Sequence, residues 1–118
     1  MLLVRDLIFL SAFAVSALIS MPLSAAVLSK EQISQQIIGK TLAGKRMGMT
    51  VRIIYLLDGT VQIKAPFMTG SGTWHFSEPG ICMIIKSGPR PGKNCIAFEH
   101  LGGNQYRNSE GMTLDIEN

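Results

Sequence analysis

The chain has 118 residues, of which 47% are hydrophobic and 16% are charged, and its formal net charge at pH 7 is +3. This length allows one small domain and no more. The mild positive charge is far below that of a nucleic-acid-binding surface, so nucleic acid is excluded from the expected partners.

The first residues have the three-part pattern of a cleavable secretory signal. Arg5 forms a short positive region, Leu7–Met21 is uncharged and apolar, and Ser24-Ala25-Ala26 supplies the small residues of a cleavage site. We expect cleavage after Ala26, which divides the chain into a signal peptide (1–26) and one small β domain (27–118). The alternative is an uncleaved membrane anchor, although the apolar run is short for a stable span. The expected protein is bacterial, is periplasmic or secreted, and keeps no stable transmembrane segment after cleavage.

A short helix is predicted directly after the cleavage site. Ser29 and Gln32 have the spacing of a capping box, and Gly39 stands where a helix C-terminus favours glycine. The helix is predicted over about 30–38. Because so short a helix is unstable alone in water, we expect it to dock on the rest of the domain.

From Thr41 onward the pattern indicates strands. The glycine-rich segment 41–50 predicts a short strand or a bent loop, and the pair Asp58-Gly59 between two apolar runs predicts a hairpin. The predicted strands are 51–57, 60–65, 72–77, 81–86, 94–100, a short one at Tyr106, and 112–116. Six or seven short strands indicate a mostly-β fold, an antiparallel meander or small barrel with one short N-terminal helix.

The two cysteines, Cys82 and Cys95, are expected to form a disulfide, since an exported chain matures in an oxidising compartment. Placing them opposite each other in an antiparallel pair also puts Ile81 and Met83 on the same face as Ile96. One register therefore satisfies both the bond and the core. Two free buried thiols are the alternative.

No residue pattern in the chain indicates catalysis or metal binding. His75 and His100 have no other ligand at metal-binding spacing, and no nucleophile motif is present. We therefore predict no cofactor, no metal site and no enzymatic activity. An enzyme without a recognisable motif remains an alternative.

The segment Lys86–Lys93 contains the densest basic cluster, formed by Lys86, Arg90 and Lys93. These residues are the candidate contact with an acidic protein, a glycan or a lipid headgroup of the cell envelope. The alternative is an ordinary solvated hairpin tip. Trp74 is either a binding aromatic or, beside Phe76 on a strand, a core residue.

Short motifs along the chain resemble those of a loose group of small exported bacterial β domains with one disulfide and no known function. The matching residues are Gly39-Lys40-Thr41, Tyr55, Asp58-Gly59-Thr60, Gly72-Thr73-Trp74, Cys82 and Cys95. The resemblance implies a periplasmic β domain and implies no activity or site. A second resemblance, in the Gly-x-Trp strand and the single disulfide, is to small periplasmic barrels that inhibit secreted proteases.

The expected function is therefore binding, by a non-catalytic envelope or secreted protein whose oligomeric state stays open. An inhibitor of a secreted or envelope hydrolase is the main alternative. Its rigid inhibitory segment would be either Val27–Lys30 or the proline-containing loop 87–93.

Overall fold

The computed structural model describes residues 26–88 and 91–117, and these form one short helix and nine strands. The elements are α1 (Lys30–Gln36), β1 (Thr41–Arg46), β2 (Met49–Tyr55), β3 (Thr60–Ala65), β4 (Met68–Ser77), β5 (Gly80–Ser87), β6 (Gly92–Ile96), β7 (Phe98–Gly102), β8 (Gln105–Asn108) and β9 (Thr113–Glu117). Residues 1–25 of the predicted signal peptide lie outside the described residues. Within the described part, no helix has the length and apolar character needed to cross a membrane.

The predicted capping box is present at the start of α1. The Ser29 N–H donates to Gln32 Oε1 at 2.8 Å, and the Gln32 N–H donates to Ser29 Oγ at 3.2 Å. The helix ends at Gln36, two residues before the predicted end. It ends there because Gly39 takes a left-handed φ of 81° and its N–H donates to the Tyr55 carbonyl at 2.7 Å, which draws the chain onto β2.

The nine strands form one antiparallel sheet in the order β6-β5-β4-β3-β2-β1-β9-β8-β7. The two outermost strands, β6 and β7, are consecutive in the chain and are separated by Ala97 alone. The two ends of the sheet therefore meet at this residue, so the sheet is strongly curled and encloses an inner face. Ser109 holds the bend, since its N–H donates to the Ala97 carbonyl at 2.9 Å and its Oγ accepts from the Ala97 N–H at 3.0 Å.

The mostly-β antiparallel prediction is confirmed, but the predicted number of strands is wrong, since six or seven were expected and nine are present. One cause is the glycine-rich segment 41–50, which forms β1 and the start of β2 around a turn at Met47-Gly48. The other cause is the run 94–100, which forms parts of two strands, because β6 pairs with β5 while β7 pairs with β8.

The predicted pairing of the cysteines is confirmed. Cys82 lies directly opposite Cys95 and is bonded to it, with Ile81 opposite Ile96 and Met83 opposite Asn94. Ile81, Met83 and Ile96 are all buried on the inner face of the sheet, as this register requires.

One cluster of buried apolar residues fills part of the space inside the sheet. Its members come from the helix and from most of the strands: Leu28, Ile33, Ile37, Ile38, Leu42, Ile53, Tyr55, Val61, Ile81, Met83, Ile85, Ile96, Phe98, Tyr106 and Leu114. Ile33 in the helix and Ile37 directly after it are completely buried in this cluster. The Tyr106 hydroxyl donates to Gln36 Oε1 at 2.8 Å, which fixes the helix against β8.

The helix and the turns divide the curled sheet into two ends. We call the end with the helix and the turns at 56–59, 78–79 and 103–104 the closed end. The turns at 47–48, 66–67 and 109–112 lie at the opposite end, together with the end of β5 and the start of β6, and we call this the open end. This division follows from the antiparallel order, since successive turns alternate between the two ends.

Candidate functional site

The basic residues singled out from the sequence lie at the open end. Lys86 and Lys93 are exposed near the ends of β5 and β6, and Arg90 lies outside the described residues. Lys93 pairs with Ile84 on the strand next to it and borders the mouth of an inner cavity. The other segment considered for inhibition, Val27–Lys30, lies along the sheet, where Val27 pairs with Glu99 and Leu28 is buried.

The histidines occupy different surroundings on the surface. His75 is exposed on β4, on the opposite face from Trp74. His100 stacks on Tyr106, with 4.6 Å between the ring centroids, and its Nε2 lies 2.7 Å from the Gly103 carbonyl. In the described ranges, no group of three or more His, Cys, Asp or Glu side chains is placed to hold a metal ion.

The main feature of the inner face is a cavity of about 500 Å³ between the core and the open end. Its wall is mostly apolar and includes five methionines: Met47, Met49, Met68, Met83 and Met112. Aliphatic and polar residues complete the wall: Val51, Ile53, Ile63, Ala65, Ile85, Ile96, Tyr55, Asn108, Asn94, Arg46, Lys93 and Glu110. Both the volume and the apolar wall are typical of sites for small organic molecules.

Aromatic rings form a rigid layer beneath this cavity. Tyr55 makes edge-to-face contacts with Trp74 at 6.4 Å and with Phe98 at 6.1 Å between centroids, and Trp74 contacts Phe76 at 5.0 Å in the same way. The Trp74 indole N–H donates to the Leu56 carbonyl at 2.8 Å. Trp74 is partly buried and packs against the core cluster, and its indole N–H is satisfied within the fold.

The hydroxyl group of Tyr55 is buried and has no hydrogen-bond partner among the described residues. The residue is 1% exposed and lines the cavity, yet its hydroxyl makes no hydrogen bond to any other described residue. Burial raises the pKa of Tyr55, and the nearby charge of Glu110 raises it further, so the hydroxyl keeps its proton as a donor. Buried hydroxyl groups are usually hydrogen-bonded, so this exception indicates a position where a ligand could supply the acceptor.

Asn108 is a second buried polar residue of the cavity wall. It is 6% exposed, and its Oδ1 accepts the N–H groups of Glu110 and Met112, each at 3.0 Å. Its Nδ2 makes no hydrogen bond within the described part of the chain. Asn108 lies opposite Phe98 on the neighbouring strand, and Phe98 also contacts the Tyr55 ring. Two unpaired donors thus face the same interior region.

Charged groups surround the mouth of the cavity. Arg46 and Lys93 supply positive charge, while the Glu110 carboxylate accepts a hydrogen bond from Asn94 Nδ2 at 2.9 Å. This arrangement of an apolar body, two internal donors and a charged mouth suits an elongated molecule with a polar group.

A second hollow, of about 580 Å³, lies on the outer face of β1, β2 and β9. It is shallow, and its principal charges neutralise each other, because Arg52 Nε lies 2.8 Å from Glu117 Oε1. The hydrogen bond from Arg52 and the charge of its guanidinium lower the pKa of Glu117. We regard the inner cavity as the candidate site because it is deeper, is mostly apolar and contains unpaired polar atoms.

The sequence analysis includes Tyr55 only among the residues of a resemblance and does not identify it as a site residue, and it does not consider Asn108. Tyr55 could have been identified from the sequence because it is a tyrosine within an apolar strand, and a buried tyrosine hydroxyl needs a hydrogen-bond partner. No protein-family model, curated protein or solved structure matches this chain.

Proposed function

We propose that this chain is an exported binding protein that holds a small, mainly apolar molecule in the cavity inside its curled sheet. The observation that carries the proposal is the apolar cavity of about 500 Å³, with the Tyr55 hydroxyl in its wall and no partner for that hydroxyl in residues 26–88 and 91–117. Sites of roughly 300–1,000 Å³ with a few convergent polar groups hold most small organic ligands.

The wall of the cavity supports a ligand with a flexible apolar body. Methionine side chains adapt to irregular shapes because they are unbranched and have a polarizable sulfur. Met49, Met83 and Met112 line the cavity from separate parts of the sheet, in β2, in β5 and just before β9. Such a wall binds a class of related chain-like molecules more readily than one rigid shape.

The two buried donors support a polar group on the ligand. The Tyr55 hydroxyl and the Asn108 amide group can each donate to an acceptor such as a carboxylate, carbonyl or hydroxyl oxygen. A ligand with such an oxygen satisfies groups that the fold leaves unpaired, whereas a pure hydrocarbon does not. The proposed ligand class is therefore an amphiphile with an oxygen-containing group.

Two further observations support export. The cysteines form an intramolecular disulfide, which is typical of proteins that mature in an oxidising compartment. The residues that would begin the cleaved chain belong to the fold, since Val27 pairs with Glu99 and the Leu28 N–H donates to the Phe98 carbonyl at 2.8 Å. A location in the periplasm or outside the cell belongs to this proposal.

The proposal is tested by titrating the purified, oxidised protein with 1-anilinonaphthalene-8-sulfonate and following dye fluorescence. Dodecanoic acid and dodecanol should displace the dye, and dodecane should displace it more weakly. Tyr55→Phe should reduce the preference for the oxygen-containing molecules by about three- to tenfold, the usual value of one hydrogen bond. Intact mass of the same preparation checks cleavage after Ala26 and the loss of two hydrogens at the disulfide.

A matched pair of tryptophan substitutions distinguishes the cavity from the general surface. Val51→Trp places a bulky ring in the cavity wall, whereas Leu57→Trp places it at the closed end, where Leu57 is 83% exposed. Dye binding should fall at least tenfold in the first variant and stay unchanged in the second. Ala65→Trp serves as a second blocking variant if Val51→Trp does not fold. Equal dye binding by the folded blocking variants and the wild type would refute the proposal.

A further inference from the structure

Two large apolar side chains project into solvent from the turns of the open end. Met47 is 90% exposed in the turn between β1 and β2, and Phe67 is 86% exposed in the turn between β3 and β4. Met68 beside them is 43% exposed. These side chains contribute nothing to the core, and in water they expose apolar surface that most proteins bury.

The backbone at Met47 makes this exposure more informative. Met47 has a φ of 53° and Gly48 has a φ of 80°, which are the conformations of a tight hairpin turn with two left-handed residues. Asn, Asp or Gly is preferred at the first of these positions, and a methionine there is strained. Met47 borders the cavity, but 90% of the residue is exposed, so neither the turn nor the cavity wall accounts for most of its apolar surface, and a contact outside the chain does.

The same end of the molecule is strongly basic. Five exposed cationic residues lie on the strands that lead into its turns: Lys45, Arg46, Lys64, Lys86 and Lys93. Among the described residues, Glu110 is the carboxylate in the turns of this end, and it is bonded to Asn94. The turns of the closed end contain Asp58 and Glu78 instead. The charge distribution is therefore polarised along the axis of the curled sheet.

We propose that the open end docks on an anionic lipid bilayer, with Met47 and Phe67 inserted among the headgroups and the basic residues facing the lipid phosphates. Anionic membranes attract clusters of Lys and Arg, and apolar side chains flanked by such clusters partition into the interface. A protein partner fits these observations less well, because the apolar side chains stand on separate turns and lysine is depleted in protein interfaces.

Docking in this orientation places the mouth of the cavity against the bilayer. An apolar molecule then passes between the membrane and the cavity without crossing bulk water, which is the slow step for a poorly soluble compound. The docking proposal goes beyond ligand binding, since the surface acts whether the cavity is filled or empty.

The test is co-sedimentation of the purified, oxidised protein with vesicles of two compositions. One contains equal parts of phosphatidylglycerol and phosphatidylcholine, and the other contains phosphatidylcholine alone. We expect at least tenfold tighter binding to the anionic vesicles, and we expect added salt to weaken it because salt screens exposed charges. Absence of binding to both kinds of vesicle would overturn the proposal and would leave an acidic protein partner as the better explanation for the basic end.

Substitutions at the two ends of the molecule make the test specific. Phe67→Ser should weaken binding to anionic vesicles at least fivefold, and the double variant Lys64→Gln/Lys86→Gln should remove most of the preference for anionic lipid. Leu57→Ser is the matched control, because Leu57 is an equally exposed apolar residue in a turn of the closed end. An equal loss of binding in Phe67→Ser and Leu57→Ser would contradict docking through the open end.

Dye binding in solution separates this proposal from the proposed ligand site. Phe67, Lys64 and Lys86 do not belong to the cavity wall, so their variants should bind the dye as the wild type does. Normal dye binding without vesicle binding would overturn docking alone, whereas vesicle binding without dye binding would overturn the ligand proposal alone.

Discussion

At the scale of single residues, the two buried tyrosines provide a direct comparison. Both side chains are at most 5% exposed, but the Tyr106 hydroxyl donates to Gln36 and the Tyr55 hydroxyl has no partner in the described structure. Because an unpaired buried hydroxyl costs free energy and a paired one contributes to stability, the same chemical deletion has opposite expected effects at the two positions.

We predict that Tyr106→Phe lowers the free energy of unfolding by about 1 kcal/mol, whereas Tyr55→Phe leaves it unchanged or raises it by up to about 1 kcal/mol. Urea denaturation of the ligand-free protein, followed by Trp74 fluorescence, measures both values. A loss of stability in Tyr55→Phe as large as that in Tyr106→Phe would mean that the Tyr55 hydroxyl has a partner within the fold.

The carboxylate of Asp58 makes part of the stability depend on pH. Thr60 donates to Asp58 Oδ1 from its Oγ1 at 2.6 Å and from its N–H at 2.9 Å, and these hydrogen bonds lower the pKa of Asp58 in the folded state. A carboxyl group with a lowered pKa contributes its full stability above its ordinary pKa of about 4 and loses it as the pH falls through the folded-state pKa.

We therefore predict that the urea midpoint of the wild type falls more between pH 5 and pH 2 than that of Asp58→Asn, whose side chain does not titrate in this range. Glu117, whose pKa is lowered by Arg52, contributes in the same direction in both proteins. Parallel curves for the two proteins would show that the turn at Asp58 is unimportant for acid stability.

At the scale of elements, two backbone segments approach each other closely where Gly80 begins β5. A Cβ atom at this position would lie 1.9 Å from the Ile96 carbonyl oxygen and 2.8 Å from the Cα of Ala97. The glycine therefore lets β5 approach the chain at the point where β6 continues into β7. Gly72 has the same role beside β5, since a Cβ atom there would lie 1.9 Å from the Ile84 carbonyl oxygen.

We predict that Gly80→Ala lowers the free energy of unfolding by about 3 kcal/mol, because backbone atoms must move to admit the methyl group. Gly103→Ala is the control, since its φ of 53° is strained for alanine but no atom lies within 4 Å of the added carbon. It should cost only about 1 kcal/mol. If urea denaturation showed an equal loss of unfolding free energy in the two variants, the backbone around Gly80 would be able to admit the methyl group with little strain.

The elements that sequence patterns predict well are those with local causes. Asp58-Gly59 forms the expected hairpin, Ser29 and Gln32 form the expected cap, and the cysteine pairing gives the correct register of β5 with β6. The division between β6 and β7 was not predictable from the sequence, because side chains alternate between the two faces throughout residues 94–100. The two strands are distinguished only by their partners, since β6 pairs with β5 and β7 pairs with β8.

At the scale of the whole molecule, the disulfide connects β5 to β6, which is one of the two outermost strands of the sheet. It closes a loop with a sequence separation of 13. In the chain-entropy model such a bond contributes about 3 kcal/mol by restricting the unfolded chain. For a small domain this is a large part of the total stability.

We predict that the double variant Cys82→Ala/Cys95→Ala unfolds at a lower urea concentration, with a loss of about 3 kcal/mol. Wild-type protein treated with dithiothreitol should shift by a similar amount, and the double variant should not respond to the reductant. A midpoint unchanged by both treatments would mean that strand pairing alone holds β5 and β6 together.

The cavity is a property of the whole curled sheet and not of any one strand, and this explains why it was not predicted from the sequence. Strand alternation indicates which side chains share a face, but it cannot tell whether the side chains of the inner face meet at the centre. Here the small residues Ala65 and Gly70 leave the open half of the interior unfilled. The resulting space depends on how tightly the whole sheet curls.

The pairing of the N-terminal segment with β7 has a consequence for biosynthesis. Val27 and Leu28 contact Glu99 and Phe98, and β1 lies between β2 and β9, so the earliest residues of the described fold pair with the latest. A chain emerging from the ribosome cannot complete this structure until nearly all of it has been made. If the chain is exported, as proposed, this delay keeps it extended for passage through a translocation channel before its tertiary structure closes.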